Sequence, residues 1–356
     1  MNLFHISHND LDGFGSQVMS RHFYGSQNIF FFNVNYGDPI TEALDKVLFV
    51  GSKGDSLLIT DLNLTWDQCT QVELLITKGI EVQLLDHHGT GTAQSEKYDW
   101  YHLDTSICAT KITYEFFLKK DSKMLELKGV SDIINIYDLY QVEDALINKA
   151  KALNTAHMNT VHLIPDLDLF DTPRRNFILS AIPLFVKSIF DSKSIRVFES
   201  EVNGIQRDIL QVALDSIGSE FSIPQEFLDD MSISVIIAEY THALIMSRRN
   251  EFVTDIYING LHGELYVGLS KISQEFFAIR NASLESDFCV NINNRGYLGF
   301  RSVGDKHVSP IAKSIGGGGH PNAAGAPLPG AGVEKELSEW KQIFLDTFAG
   351  KEASLK

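Results

Sequence analysis

Carboxylates and imidazoles recur in this chain where apolar runs end. His8-Asn9-Asp10-Leu11-Asp12-Gly13 follows the run Leu3–Ser7, and Asp61 follows Ser56–Thr60. Asp86-His87-His88-Gly89 follows Glu81–Leu85, and Asp138 closes Ile136-Tyr137-Asp138. Such a set can hold two divalent cations roughly 3.5–4 Å apart, the spacing that stabilises both the attacking and the leaving oxygen of an in-line phosphoryl displacement. Oxygen and nitrogen donors together suit manganese, ahead of zinc, iron or magnesium, and thiolates are missing from the set. Taken singly, each piece is bland. A lone Asp after a strand is usually a turn or cap residue, and a His pair is usually a surface feature. The conjunction of four such segments is what points to a metal centre.

The elements that must position these groups can be read from the pattern. Leu3–Ser7, Asn28–Asn33, Ser56–Thr60 and Glu81–Leu85 read as strands. Helices are expected over Gly15–Phe23, from the Asp38-Pro39 cap pair through Leu44, from the Thr65/Gln68 capping box to Gly79, and at about 106–120 and 123–138. This alternation argues for a parallel sheet with helices on both faces, and ligands bind at the carboxyl edge of such a sheet. Asp10 and Asp12, read as an extended segment, would point to one side. The middle, 140–220, reads as helical, with an amphipathic helix over Ser194–Ser216. Beyond Ile223-Pro224, strand-like runs occur at 232–239, 253–258 and 264–269, with shorter ones near 288–292 and 297–300. Ser309–Lys313 looks helical, Gly316–Gly319 reads as a binding loop, and a last helix spans about 334–348. The fold class is therefore α/β. The expected division is a catalytic domain over 1–190, a helical linker over 191–222, and a smaller α/β domain over 223–356.

Composition narrows the partners. The 356 residues are 44% hydrophobic and 21% charged, ordinary for a globular chain. The formal net charge is −16, from 30 Lys+Arg against 46 Asp+Glu, which is not the footprint of a protein that tracks a long duplex. A small anionic substrate held by local cations or metals remains compatible. The opening MNLFHISHND has neither a basic segment nor an apolar stretch of signal length, and no run is long enough to span a bilayer. A cytoplasmic location without membrane attachment is expected. Cys69, Cys108 and Cys289 lie too far apart for a zinc site or disulfide framework and read as reduced, buried thiols.

These motifs resemble the DHH phosphoesterase superfamily, in the branch that carries a C-terminal DHHA1 domain. The C-terminal signature is Gly316-Gly317-Gly318-Gly319-His320-Pro321-Asn322-Ala323-Ala324-Gly325. With the Asp and His motifs it extends the resemblance from residue 8 to residue 325. The Ser7–Gly13 opening and the two-domain layout look most like nano-RNases, especially the B type. The resemblance implies a DHH domain joined by a helical linker to a DHHA1 domain. It implies that His8 and Asp10 hold a first manganese, that Asp12, His87 and Asp138 hold a second, and that Asp61 bridges them. His88 would face the scissile phosphate, with Asp86 orienting the histidine pair. Some family members place the first histidine four residues before the first aspartate, a position that is Ile6 here, so His8 takes that role. Arg301, Ser302, Gly317, Gly318, Gly319 and His320 would hold the phosphate or sugar end of the substrate. Arg248 and Arg249 are further candidates, whereas His5, His157 and His162 read as structural.

The expected activity is a manganese-dependent phosphodiesterase, an oligoribonuclease of exonuclease type that degrades short RNA to mononucleotides, with magnesium or another divalent ion as alternative cofactor. Hydrolysis of 3′-phosphoadenosine 5′-phosphate is the runner-up, followed by cyclic or linear dinucleotide hydrolysis. A non-catalytic nucleotide-binding module is the rival from another class. The enzyme could act as a homodimer.

Overall fold

The computed structural model describes residues 1–25, 28–163, 172–218, 223–224, 227, 231–267, 276, 286–333, 335–349 and 354–355. The chain divides into two compact units, one built on Met1–His162 and Leu169–Ile209, the other on Leu210–Lys356 with Leu163–Asp168. Residues 219–222, at the end of the expected linker, lie outside the described set, as do 268 and 269 of the run 264–269.

The first unit opens with β1 (Leu3–His8), α1 (Leu11–Tyr24), β2 (Ile29–Val34), α2 (Asp38–Val50), β3 (Ser56–Thr60), α3 (Trp66–Thr77) and β4 (Glu81–Asp86). It continues with α4 (Thr92–Ser95), β5 (Tyr101–Leu103), α5 (Ala109–Leu118), α6 (Lys128–Asp138), α7 (Ile147–Leu163), α8 (Thr172–Asp191) and the greater part of α9 (Ile195–Ile217), whose residues from Leu210 on belong to the second unit. The five strands form one sheet in the order β2-β1-β3-β4-β5, and every pairing is parallel. Side-chain alternation sorts the faces. Phe4 and Ile6 of β1, Leu57 and Ile59 of β3, and Leu84 of β4 join a core with Ile40, Leu44 and Val47 of α2 and Cys69, Val72 and Leu75 of α3. The intervening positions face α1 and α5, so helices cover both faces as the alternation demands.

Local chemistry explains the boundaries. Thr65 and Gln68 form the reciprocal capping box that starts α3, and Gly79 takes φ +92° past its end. Three expectations need correcting. The cap of α2 is Gly37, with Asp38 already inside the helix. Helix α1 begins at Leu11 rather than Gly15, so Asp12 lies in a helical turn and not in an extended segment. The span 123–138 opens as a 3₁₀ stretch, Ser122–Leu127, before α6.

The second unit contains α10 (Ile233–Ser247), β6 (Val253–Ile258), β7 (Leu261–Val267), β8 (Phe288–Ile292), β9 (Tyr297–Ser302), α11 (Ser309–Lys313), β10 (Gly318–His320), β11 (Ala323–Pro327), α12 (Leu337–Phe348) and β12 (Ser354–Leu355). Its seven strands form a mixed sheet in the order β10-β11-β9-β8-β7-β6-β12. The β-branched run 232–239 is helix rather than strand. Its burial at Ile236, Tyr240, Ala243 and Leu244 has helical spacing, which the β-propensity of Ile and Val masks. Part of the glycine run is likewise strand: Gly318 and Gly319 belong to β10, at the sheet edge. Among the described residues no helix is long and apolar enough to cross a membrane.

Candidate active site

The carboxyl edge of the parallel sheet gathers the acidic and imidazole groups. His8 ends β1, and its Nδ1 lies 2.8 Å from Asp10 Oδ2. Asp10 caps α1, its Oδ1 accepting from Gly13 N at 3.0 Å. The turn from strand to helix is so tight that a Cβ on Gly13 would sit 2.1 Å from the His8 carbonyl oxygen. Asp12, one residue into α1, turns the other way. Its two carboxylate oxygens accept from the backbone N–H groups of Ala109 and Thr110, each at 2.8 Å. Those amides open α5, so the positive end of that helix faces Asp12. Asp10 and Asp12 therefore serve different clusters because a helix begins between them.

Asp61 follows β3 with φ +58°, a left-handed backbone that Asp tolerates better than most residues. Its Oδ2 faces His8 Nδ1 at 3.7 Å and its Oδ1 faces His87 Nε2 at 3.3 Å. His87 Nε2 also lies 3.7 Å from Asp12 Oδ2 and 3.6 Å from Asp138 Oδ2. Three groups of potential ligands result, each with its donor atoms within 4.8 Å of one another: His8, Asp10 and Asp61; Asp12, His87 and Asp138; and Asp61, His87 and His88. All six candidate metal ligands read from the sequence thus meet at one edge, Asp61 belonging to the first and third groups and His87 to the second and third.

The electrostatics are those of a site short of positive charge. Burial, then the carboxylates of Asp12 and Asp10, push Asp61 well above the usual carboxylate range. Burial and the same two neighbours push Asp138 up to about 8. Burial would also raise Asp10, but the hydrogen bond and charge of His8 hold it at about 2. Oδ2 of Asp61 and Oδ2 of Asp138 are buried without a hydrogen-bond partner. Orphaned carboxylate oxygens, crowded by like charge and mixed with imidazole nitrogens, fit divalent cations of the manganese type.

A stability consequence follows. Asp61 and Asp138 bind protons in the folded, metal-free protein that the unfolded chain has already released, so folding weakens as pH rises through this range. His5, held neutral by burial at about 3, and His87, lowered by burial, act oppositely, but only below their unfolded value near 6.5. His88, raised by its bond to Asp86, adds to the decline. The EDTA-treated protein should therefore lose thermal stability between pH 6.5 and about 8. Saturating manganese should flatten that slope. Melting curves with and without EDTA check this, and a metal-free Tm that rises across the window contradicts it.

Asp86, fully buried at the end of β4, accepts from His88 Nδ1 at 2.7 Å and from the Tyr101 hydroxyl at 2.7 Å. It holds His88 by that hydrogen bond and acts on His87 through its charge, which raises that histidine's pKa against the effect of burial. Beneath the edge, the buried ring of His5 bonds Ser20 Oγ at 2.7 Å and Thr60 Oγ1 at 2.9 Å, and Ser7 Oγ meets Thr60 Oγ1 at 2.7 Å. That network ties β1, β3 and α1 together directly under Asp61. Tyr36, Tyr101, Ala109 and Thr110 went unmarked in the sequence. Only the place of Tyr36, just after β2 on the same edge, could have signalled it.

In the second unit, Ala323 of β11 is in register with Arg301 of β9 on one side and His320 of β10 on the other. Residues in register project to the same face, so Arg301 and His320 share a face two strand spacings apart, about 9–10 Å. Ser302 faces the other way, buried, and its Oγ accepts from Asn322 Nδ2 at 3.0 Å. A Cβ on Gly317 would meet the Gly325 carbonyl oxygen at 2.2 Å, and Gly319 has φ +139°, whereas Gly318 faces open space. Arg249 bonds Asp255 at 3.1 Å and Glu264 at 2.9 Å, an arrangement that braces β6 against β7. Arg248 stacks over Phe252. All three cysteines are buried and outside any disulfide.

No protein-family model matches the chain. Two curated proteins align along most of its length. One is a 3′,5′-cyclic-nucleotide phosphodiesterase of Helicobacter pylori (strain ATCC 700392 / 26695), 28% identical over 349 residues, covering 93% of this chain and 94% of that protein. The other is the oligoribonuclease NrnB of Bacillus subtilis (strain 168), 20% identical over 337 residues, covering 92% and 73%. An uncharacterized protein of Helicobacter pylori G27, known from its crystal structure, superposes with a TM-score of 0.76 at 24% identity, covering 98% of this chain and 99% of that one. That likeness shows a shared fold. With its Asp and His motifs converging on one sheet edge and these two relatives, the chain is a phosphoric ester hydrolase that resembles the DHH/DHHA1 phosphoesterases, the nano-RNases among them.

Proposed function

We propose that the enzyme hydrolyses short oligoribonucleotides to mononucleotides at a two-manganese centre in the first unit. The observation that carries this reading is Asp61, a buried carboxylate shared between two ligand groups, with one oxygen toward His8 and the other toward His87. His8 and Asp10 would hold one ion, Asp12, His87 and Asp138 the other, and Asp61 both. Bound there, the ions would supply the positive charge that activates water and offsets charge developing on phosphorus oxygens. The chain supplies the rest. Asp86 holds His88 at Nδ1, leaving Nε2 to face the phosphate. The first two amides of α5 hold the Asp12 carboxylate in place. Arg301 and His320, on one sheet face, grip the terminal phosphate or sugar, with the backbone of Gly317–Gly319 beside them. On this reading 1–190 is the catalytic domain, 191–222 its linker and 223–356 the substrate-binding domain, working in the cytoplasm.

The net charge of −16 supports a short substrate, because a polyanion gains nothing from such a surface. The curated relative from Helicobacter pylori favours a second reading, a cyclic nucleotide as substrate. A product time course decides between them, using 5′-labelled dinucleotide, pentanucleotide and 24-mer RNA in manganese, beside 3′,5′-cyclic nucleotide and 3′-phosphoadenosine 5′-phosphate. The dinucleotide should be cut fastest. Preference for the 24-mer, or exclusive turnover of the cyclic ester, rejects the oligoribonuclease reading.

Substrate holding can be separated from cleavage. Arg301→Ala should weaken dinucleotide binding by roughly 1.5–3 kcal/mol, the range for a hydrogen bond to a charged group. A chromogenic phosphodiester too small to use that grip should be hydrolysed nearly as before. Equal losses in kcat/KM on both substrates, with a lower Tm, would mean that Arg301 only braces the sheet.

A further inference from the structure

The hydrogen-bonded chain that begins in the core at Tyr101 does not stop at His88. His88 Nε2 lies 3.0 Å from the hydroxyl of Tyr36. Donor order follows from the far end. The Asp86 carboxylate can only accept, so it takes the proton of Nδ1. In the neutral imidazole Nε2 is then the acceptor, and the Tyr36 O–H donates to it. Tyr36 sits in the turn after β2, followed by Gly37 at φ +87°, and is 42% exposed. Its ring centroid lies 5.1 Å from that of His8 and 5.8 Å from that of His88, which places it over both halves of the Asp–His cluster. The phenol is the outermost polar group of the chain and its partner is the nitrogen turned toward the substrate. A phenol keeps its proton at neutral pH, so the oxygen can donate.

Two groups 3.0 Å apart can each donate to an oxygen of one phosphoryl group, the imidazole only when Nε2 also carries a proton, which releases the phenol from it, because a neutral Nε2 is itself an acceptor. A phosphate that reaches Nε2 is therefore within reach of the phenol. We propose that Tyr36 is a further catalytic residue, whose O–H leaves His88 and donates to a non-bridging oxygen of the scissile phosphate. The proposal rests on the reading of His88 as the phosphate-facing group. No covalent bond forms at Tyr36 and its proton stays on the phenol. Its contribution is a donor already in place where negative charge gathers.

Tyr36→Phe keeps the ring and removes the donor, and the exposed position makes the change structurally mild. With manganese-loaded protein, kcat/KM for a dinucleotide should fall about 10- to 100-fold, the worth of a hydrogen bond to a charged group. Binding of inorganic phosphate, followed by calorimetry, should weaken as well, while manganese affinity and Tm stay put. A role confined to propping His88 predicts otherwise. The Tyr36→Phe loss would then disappear in a His88→Asn background, whereas direct contact keeps most of it there. Unchanged phosphate affinity in Tyr36→Phe, or a loss that vanishes in the double variant, overturns the proposal. Failure of the functional reading looks different: the wild-type protein would bind phosphate through Tyr36 yet leave the dinucleotide intact.

Discussion

Asp61→Asn should lower turnover of a dinucleotide by at least ~10³-fold, because losing a shared carboxylate removes several kcal/mol of charge stabilisation from both ion positions at once. Asn is the right probe. It keeps the shape and tolerates the left-handed backbone at φ +58°, where Ala would add strain of about 1–2 kcal/mol. The same change should leave the metal-free protein equally or more stable. Burial and the carboxylates of Asp12 and Asp10 already oppose ionisation of Asp61, so a neutral amide relieves repulsion. Lost activity with a held or raised Tm in EDTA marks a functional carboxylate kept at a structural cost. Retention of more than about a tenth of wild-type activity, a change of only about 1.4 kcal/mol, shows that Asp61 is not shared between two ions.

Gly13→Ala should be the most disruptive single methyl in the first unit. The added Cβ would lie 2.1 Å from the His8 carbonyl oxygen and 2.7 Å from its carbon, and neither backbone atom can step aside without moving β1 or α1. Overpacking of this kind costs about 1–3 kcal/mol, occasionally more. The shift should also pull His8 and Asp10 away from Asp61, so manganese affinity should fall together with Tm. An unchanged Tm would show that the strand-to-helix turn is looser than its geometry implies.

The first unit was largely legible because its signals are redundant. SLLIT ending at Asp61 and EVQLL ending at Asp86 are apolar runs of strand length, and in a parallel sheet their carboxyl ends must share an edge. Strand order was not needed to bring the ligands together. The way Asp10 and Asp12 divide between clusters was not legible, since it depends on a helix that starts at Leu11 and on amide donors from Ala109 and Thr110, about a hundred residues away. Nor was the helix over Ile233–Ser247, where Ile and Val favour strands until burial on one helical face decides otherwise. The glycine run shows the same limit. Glycine names a close backbone approach but not its partner, and here Gly325 and Ala323 supply the carbonyls that exclude a side chain.

The central claim is that two divalent ions bound by His8, Asp10, Asp12, Asp61, His87 and Asp138 are needed for hydrolysis. Its most direct test is a titration of the chelator-stripped protein with manganese, counting bound ions per chain while following dinucleotide cleavage. The stripped protein should be inactive, and activity should rise only as the second equivalent fills. Full activity in excess EDTA after extensive dialysis, or full activity with a single bound ion per chain, contradicts the account.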